Sequence, residues 1–215
     1  MKILALEFST DLRSVAIAVG NRIAASVCES GGRATHAFAL IEKALNEAGL
    51  EREAIDAVAV GLGPGSYTGI RAAIAIAQGW QLARDVKLAG IDSLSCLAHG
   101  LQLRGVRGAV GTFVDAQRNE FYLAGYELTD TDCRLSDELR IVSRAEIEQR
   151  LARSEYLVGP DRTKLAPVVA PDFPPASSLA ALALTRDRWV DGTALEPVYL
   201  RPISFVKAPP QKFHP

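Results

Sequence analysis

The sequence is short of charge imbalance, of paired cysteines and of long apolar runs, and each shortage closes a class of function. Its 24 basic and 25 acidic side chains give a formal net charge of −1 and are spread along the chain. No basic stripe is therefore available to grip nucleic acid or an anionic membrane. The three cysteines, Cys28, Cys96 and Cys133, are far apart and lack any C-x-x-C pairing, which argues against a disulfide framework or a structural zinc site and fits a reducing cytoplasm. No run approaches the roughly 20 apolar residues of a membrane span. The opening MKILALEFST has an apolar run that stops at Glu7, too short for a signal peptide. His36, His99 and His214 are isolated, without H-x-x-x-H or H-E-x-x-H spacing, so no metal is expected. A G-x-S-x-G nucleophile elbow is also missing.

What is present is an apolar chain of 215 residues, 48% hydrophobic, long enough to bury a sizeable core as one large domain or two small ones. Residues 3–8 and 14–19 read as strands around the polar turn Ser9-Thr10-Asp11, and 22–28 reads as a third strand. Helical spacing runs over 34–48 and stops at Gly49. A strand at 55–61 leads through a glycine-rich loop into a helix at 68–84, followed by a strand at 86–91 and a helix at 93–102. A second start is then visible: 108–114 is an apolar strand ending at Asp115, and 120–127 is its return. Strand, acid, turn, strand occurs twice, which predicts an internal duplication. Ser143 with Glu146 forms a capping box for a helix to about residue 152. A short strand at 156–159 and a weaker helix at 177–188 follow. Four prolines in the last 14 residues predict a loosely held tail.

The glycine loop, GLGPGSYTGIR over 61–71, invites comparison with phosphate cradles. It lacks the lysine of a Walker loop, and Gly61, Gly63, Gly65 and Gly69 do not have G-x-G-x-x-G spacing. Ser66 and Thr68 are placed to cap a helix start, so a tight strand-to-helix turn is the simpler reading. The following helix is more informative, because 72–83 (AAIAIAQGWQLA) has no charged residue. At 100° per residue, Ile70, Ala73, Ala77 and Trp80 share one side while Ala72, Ile76, Gly79 and Ala83 share the other. One sheet covers one side, so the other meets either a further element of the same domain or a partner chain. Ala72, Ala75 and Gly79 would let a second helix approach closely. Leu40 reads as a similar surplus apolar position, off the main face of its helix. Glu7 and Asp115, one at each hairpin bend, either flank a shared cleft or accept local hydrogen bonds as turn acids.

The segments ILALEFST, GLGPGSYTGIRAAIAIAQGW, VDAQRNEFY and EPVYLRP resemble, in this order, the TsaB (YeaZ) family. The long middle motif is the specific one, with Gly63, Pro64, Gly65, Ser66, Thr68, Gly69 and Arg71 as its signature, while 128–195 matches poorly. The resemblance implies an α/β fold of the actin, sugar kinase and Hsp70 (ASKHA) type, with two βββαβα-like halves at 1–104 and 105–215, the second smaller and degenerate. It implies a non-catalytic subunit that binds TsaD, with TsaE as a third component, in making threonylcarbamoyladenosine (t6A) in tRNA, the RNA being met only through the complex. It also implies a homodimer when TsaD is absent, no cofactor, no catalytic residue and no metal, since Ser93–Leu97 stands where TsaD-like relatives carry an H-x-x-x-H pair. The family's partner-binding helices correspond to 34–48 and 68–84, and the interface residues expected there are Leu40, Ile70, Ala73, Ile74, Ala77, Gln78 and Trp80. Two rival readings are a phosphotransferase or ATPase of the same fold, and a metal-dependent glycoprotease-like peptidase. Against the first, Asp115-Ala116-Gln117-Arg118 lacks the glycines of a second phosphate loop.

Overall fold

The computed structural model describes residues 1–31, 36–160 and 172–200. The proline-rich tail expected from Pro202 onward lies outside them. The chain opens with three antiparallel strands, β1 (Lys2–Glu7), β2 (Leu12–Val19) and β3 (Arg22–Ser30), and continues through helix α1 (Ala37–Ala48) to β4 (Ala57–Gly61). Helix α2 (Tyr67–Arg84) then leads to β5 (Lys87–Ile91). Strands β1, β4 and β5 are parallel, and the five-stranded sheet has the order β3-β2-β1-β4-β5. Helix α3 (Ser93–Leu103) crosses to a second sheet made of β6 (Gly108–Gln117), β7 (Glu120–Leu128), β8 (Cys133–Ser143) and β9 (Leu157–Val158), with α4 (Arg144–Ala152) before β9. Its order, β8-β7-β6-β9, repeats the first four strands of the other sheet, down to the parallel fourth strand. The duplication expected from the paired hairpins is therefore present in the topology.

Side-chain alternation assigns each face of the first sheet. Leu4, Leu6, Val15, Ile17, Val58 and Val60 point to one side and are covered by α1 and α2 through Ile41, Leu45, Ile70 and Ala77. The other side presents Ala5, Ala16, Ala18, Ala57 and Ala59 beside Ile3. On this alanine-rich face sits helix α5 (Ala176–Leu184), itself lined by Ala176, Leu179, Ala180 and Ala183. Small residues on both surfaces let helix and sheet approach closely, and Ala176 N–H donates to Ser14 Oγ at 3.0 Å across 162 positions of sequence. Helix α3 is shared: Cys96 packs toward the first sheet, while Leu94, Leu97 and Leu101 pack on Val110, Val114, Ala124 and Leu128 of the second. Beyond that sheet, α4 packs Ile147 on Phe113, Phe121 and Val142.

Three details depart from the sequence reading. Strand β8 was not anticipated: CRLSDELRIVS lies at an edge, mostly exposed, and has no clean apolar face to signal it. Strand β6 runs past Asp115 to Gln117, and the reversal uses Gln117, Arg118 and Asn119 at φ of 66°, 60° and 62°. Helix α5 spans Ala176–Leu184 and stops short of 188.

Candidate functional site

The glycine loop is filled by the chain's own backbone and one buried acid. A Cβ at Gly61 would run into Glu7 Oε2, one at Gly65 into the Ser9 carbonyl oxygen, and one at Gly69 into the Phe8 carbonyl oxygen. The glycines thus admit the end of β1 and its turn to the start of α2. Ser66 N–H donates to Ser9 O at 2.6 Å, and Ser66 Oγ caps α2 by accepting from Gly69 N–H at 3.3 Å. Pro64 follows a cis peptide bond from Gly63. Arg71 is exposed on α2, where its guanidinium donates to Tyr67 OH at 2.7 Å and lies over that ring. Tyr67 in turn stacks on Tyr199, and both rings are about half exposed.

Glu7 is wholly buried. Its Oε1 accepts from Ser9 N–H at 2.9 Å and its Oε2 from the Ser93 hydroxyl at 2.8 Å. Burial pushes its pKa up to about 7, the hydrogen bonds from Ser9 and Ser93 oppose that rise, and the neighbouring Asp92 adds a little to it. Asp92 caps α3 by accepting from Ser95 N–H at 2.7 Å, and burial raises its pKa as well. Sequence reasoning missed Ser93 as a partner of Glu7, although D-S-L-S is a legible cap signature that places this hydroxyl at a helix start.

Between the two halves lies a cleft of about 460 Å³ walled by Ser9, Thr10, Asp11, Ser66, Thr68 and Asp115, among others. Asp115 accepts from Gln117 N–H and from Gln117 Nε2, each at 2.9 Å. Only one of the two expected cleft acids is on this wall, because Glu7 is turned into the core behind Ser9. Among the described residues, no group of three or more His, Cys, Asp or Glu side chains could hold a metal ion.

The second concave feature is a groove of about 540 Å³ between α1 and α2. Phe38, Ala75, Ile76, Gly79, Trp80 and Ala83 line it, and Glu42, Arg52, Glu53 and Arg84 stand at its edges. Phe38 is 65% exposed. Both sides of α2 identified from periodicity are real, but the assignment of the outward one needs correction. Ile70, Ala73, Ile74 and Ala77 are in the core under the sheet, and so is Leu40 of α1. Residues at i, i+3, i+4 and i+7 of α2 face the sheet, which leaves Ala75, Ile76, Gly79 and Ala83 facing out. Gln78 is exposed, yet its Nε2 donates to Gly192 O at 2.8 Å, and Gln81 Oε1 accepts from Gly192 N–H at 2.8 Å. This pair ties the 3-10 turn Gly192–Ala194 to one flank of α2. Trp80 is half-buried and belongs both to the core and to the groove.

Comparison with known proteins agrees with this architecture. A family model described as TsaD, tRNA N6-adenosine threonylcarbamoyltransferase, matches residues 34–158, more than half of the chain. The chain is similar to the tRNA threonylcarbamoyladenosine biosynthesis protein TsaB of Escherichia coli K12, at 29% identity over 94% of this chain and 95% of that protein. It is also similar to the TsaB of Haemophilus influenzae, at 31% identity over 58% of this chain and 53% of that protein. The crystal structure of YeaZ from Pseudomonas aeruginosa superposes with a TM-score of 0.78 at 28% identity, covering 93% of this chain and 99% of that one. A second Pseudomonas aeruginosa structure, described as an uncharacterized protein with similarity to peptidase YEAZ, gives the same TM-score at 29% identity over the same shares. With its duplicated sheets and near full-length likeness to these proteins, the chain belongs to the TsaB (YeaZ) family and has that family's α/β fold of the actin, sugar kinase and Hsp70 type.

Proposed function

We propose that this chain is a non-catalytic subunit of the machinery that makes threonylcarbamoyladenosine in tRNA, and that it acts by docking a TsaD-type threonylcarbamoyltransferase against the groove between α1 and α2. The observation that carries the reading is the outward side of α2: Ala75, Gly79 and Ala83 recur every four residues along an open apolar groove beside the exposed ring of Phe38. Small residues let a partner helix come close, and an aromatic at the edge supplies the anchor that such interfaces favour. The interface is then Phe38, Ala75, Ile76, Gly79, Trp80 and Ala83, in place of the core residues expected from sequence. TsaD performs the transfer, this subunit holds it in its active shape, and TsaE joins near their junction. The tRNA meets this chain only through the complex. Without TsaD, two copies pair through the same groove. By this reading the protein works in the cytoplasm, and the chain divides at 104/105 into two units, with α5 lent back to cover the first.

Light scattering on a sizing column tests this with the chain alone, TsaD from the same genome alone, and the two mixed. A one-to-one complex that replaces any homodimer supports the reading, and independent elution refutes it. The polar cleft of about 460 Å³ keeps one rival in view, a nucleotide-handling enzyme. That rival requires calorimetric nucleotide binding that Asp115→Ala abolishes.

A further inference from the structure

Glu7 serves neither the groove nor the cleft, yet three separate parts of the chain meet at its carboxyl. Besides its own bonds from Ser9 and Ser93, the Ser93 Oγ accepts from Gly63 N–H at 3.1 Å, and Ser93 N–H donates back to Gly63 O at 2.8 Å. The end of β1, the glycine loop and the first residue of α3 are thereby closed on one another. Gly61 leaves only enough space for the carboxyl, since any side chain there would collide with Oε2.

The charged and titratable neighbours give an ionised Glu7 little help. Asp92 and Cys96 face it from α3, and both are acids whose charged forms would repel it. Arg186, beyond α5, acts on Cys96. From β2, Ser14 lies opposite Glu7 in register, while the Arg13 guanidinium lies over the Phe8 ring.

We propose that Glu7 is a proton-operated latch on the glycine loop: its protonated carboxyl keeps the loop shut against β1 and α3, and its ionisation loosens that closure. The proposal does not depend on the docking role. In the closed loop burial holds the carboxyl at about 7, and once the loop opens to water it returns toward its ordinary 4.5. A raised pKa in the closed state favours closure fully below the ordinary value, and that advantage is lost as pH rises toward 7. Between pH 6 and pH 8 the opening constant of the loop should rise about tenfold, from the ratio of the two binding polynomials.

Amide hydrogen exchange on the full-length chain tests this, with intrinsic rates corrected at each pH. The loop amides of Gly63 and Ser66 should exchange faster than those of central strands β1 and β4, and should lose about tenfold in protection from pH 6 to pH 8. Glu7→Gln, which has the shape of the protonated acid, should abolish that change. Loop amides with constant protection in the unmodified protein, or an undiminished pH effect in Glu7→Gln, would overturn the latch. A pH effect confined to amides that exchange only through global unfolding would overturn it as well. A measurement without any variant is the carbon-13 titration of the Glu7 carboxyl, where a midpoint near 7 supports the proposal and one near 4.5 refutes it.

Discussion

Gly79 offers a test in which folding and docking should move in opposite directions. It lies inside α2, faces the groove, and a Cβ built there meets no atom within 4 Å. Glycine within a helix costs about 0.5–1 kcal/mol relative to alanine, because it gives up more backbone freedom on folding. Gly79→Ala should therefore raise stability by up to about 1 kcal/mol, or about 2–4 °C in Tm for a chain of this size. A larger side chain is equally free of clashes within the isolated chain, but it occupies the space assigned to a partner helix. Overpacking of a close-packed contact costs about 1–3 kcal/mol, so Gly79→Leu should bind TsaD roughly 5- to 150-fold more weakly, at about 1.4 kcal/mol per tenfold, while melting no lower than the unmodified protein. Calorimetric titration with TsaD gives the affinity and thermal melting gives the stability. If Gly79→Leu binds as tightly as the unmodified chain, the groove is not the seam. If Gly79→Ala melts lower, the space seen beside α2 does not exist in solution.

Other substitutions probe the core and the loop. Ala77→Arg would bury an unpaired guanidinium under the first sheet, where Ala77 has no exposed surface; at more than about 4 kcal/mol the chain should fail to fold, and a native circular dichroism spectrum would contradict this packing. Gly61→Ala should cost about 2 kcal/mol or more through collision with Glu7, and adding Glu7→Ala should return part of that loss; equal Tm for Gly61→Ala and the unmodified protein would refute the contact. Because Glu7 has its pKa raised to about 7 from 4.5 when folded, its contribution is greatest at low pH and is lost as pH rises to about 7. Urea unfolding should accordingly show about 2–3 kcal/mol less stability at pH 8 than at pH 5 from this group. Glu7→Gln should lack that component, and an identical pH profile in the two proteins would exclude it.

How legible all this was depends on where the physical signal lies. Buried strands such as ILALE and the capped helices α1, α2 and α4 carry their periodicity and caps in a few adjacent residues, and they form where expected. Strand β8 draws its order from pairing with β7 and not from an apolar face, so a window of sequence cannot announce it. Helix α2 shows the limit of periodicity most clearly. Its two apolar sides are both readable, but which one meets the sheet depends on the angle at which the chain leaves the glycine loop. Trp80, the largest side chain on α2, drew attention to the side that is in fact inside. The role of Glu7 was hidden for a related reason, since its partner Ser93 is 86 residues away.

The return of α5 to the first sheet also bears on how the protein is made. Synthesis delivers β1 through β5 long before residues 176–184, so Ala5, Ala16, Ala18, Ala57 and Ala59 must wait for their cover until nearly the whole chain has left the ribosome. The amino-terminal half cannot mature as an independent first product, as early-emerging domains usually do. Its bare alanine face is a surface that a nascent-chain chaperone would have reason to hold, and a release that cuts the chain short of α5 yields a fragment with one side of its sheet still open to aggregation.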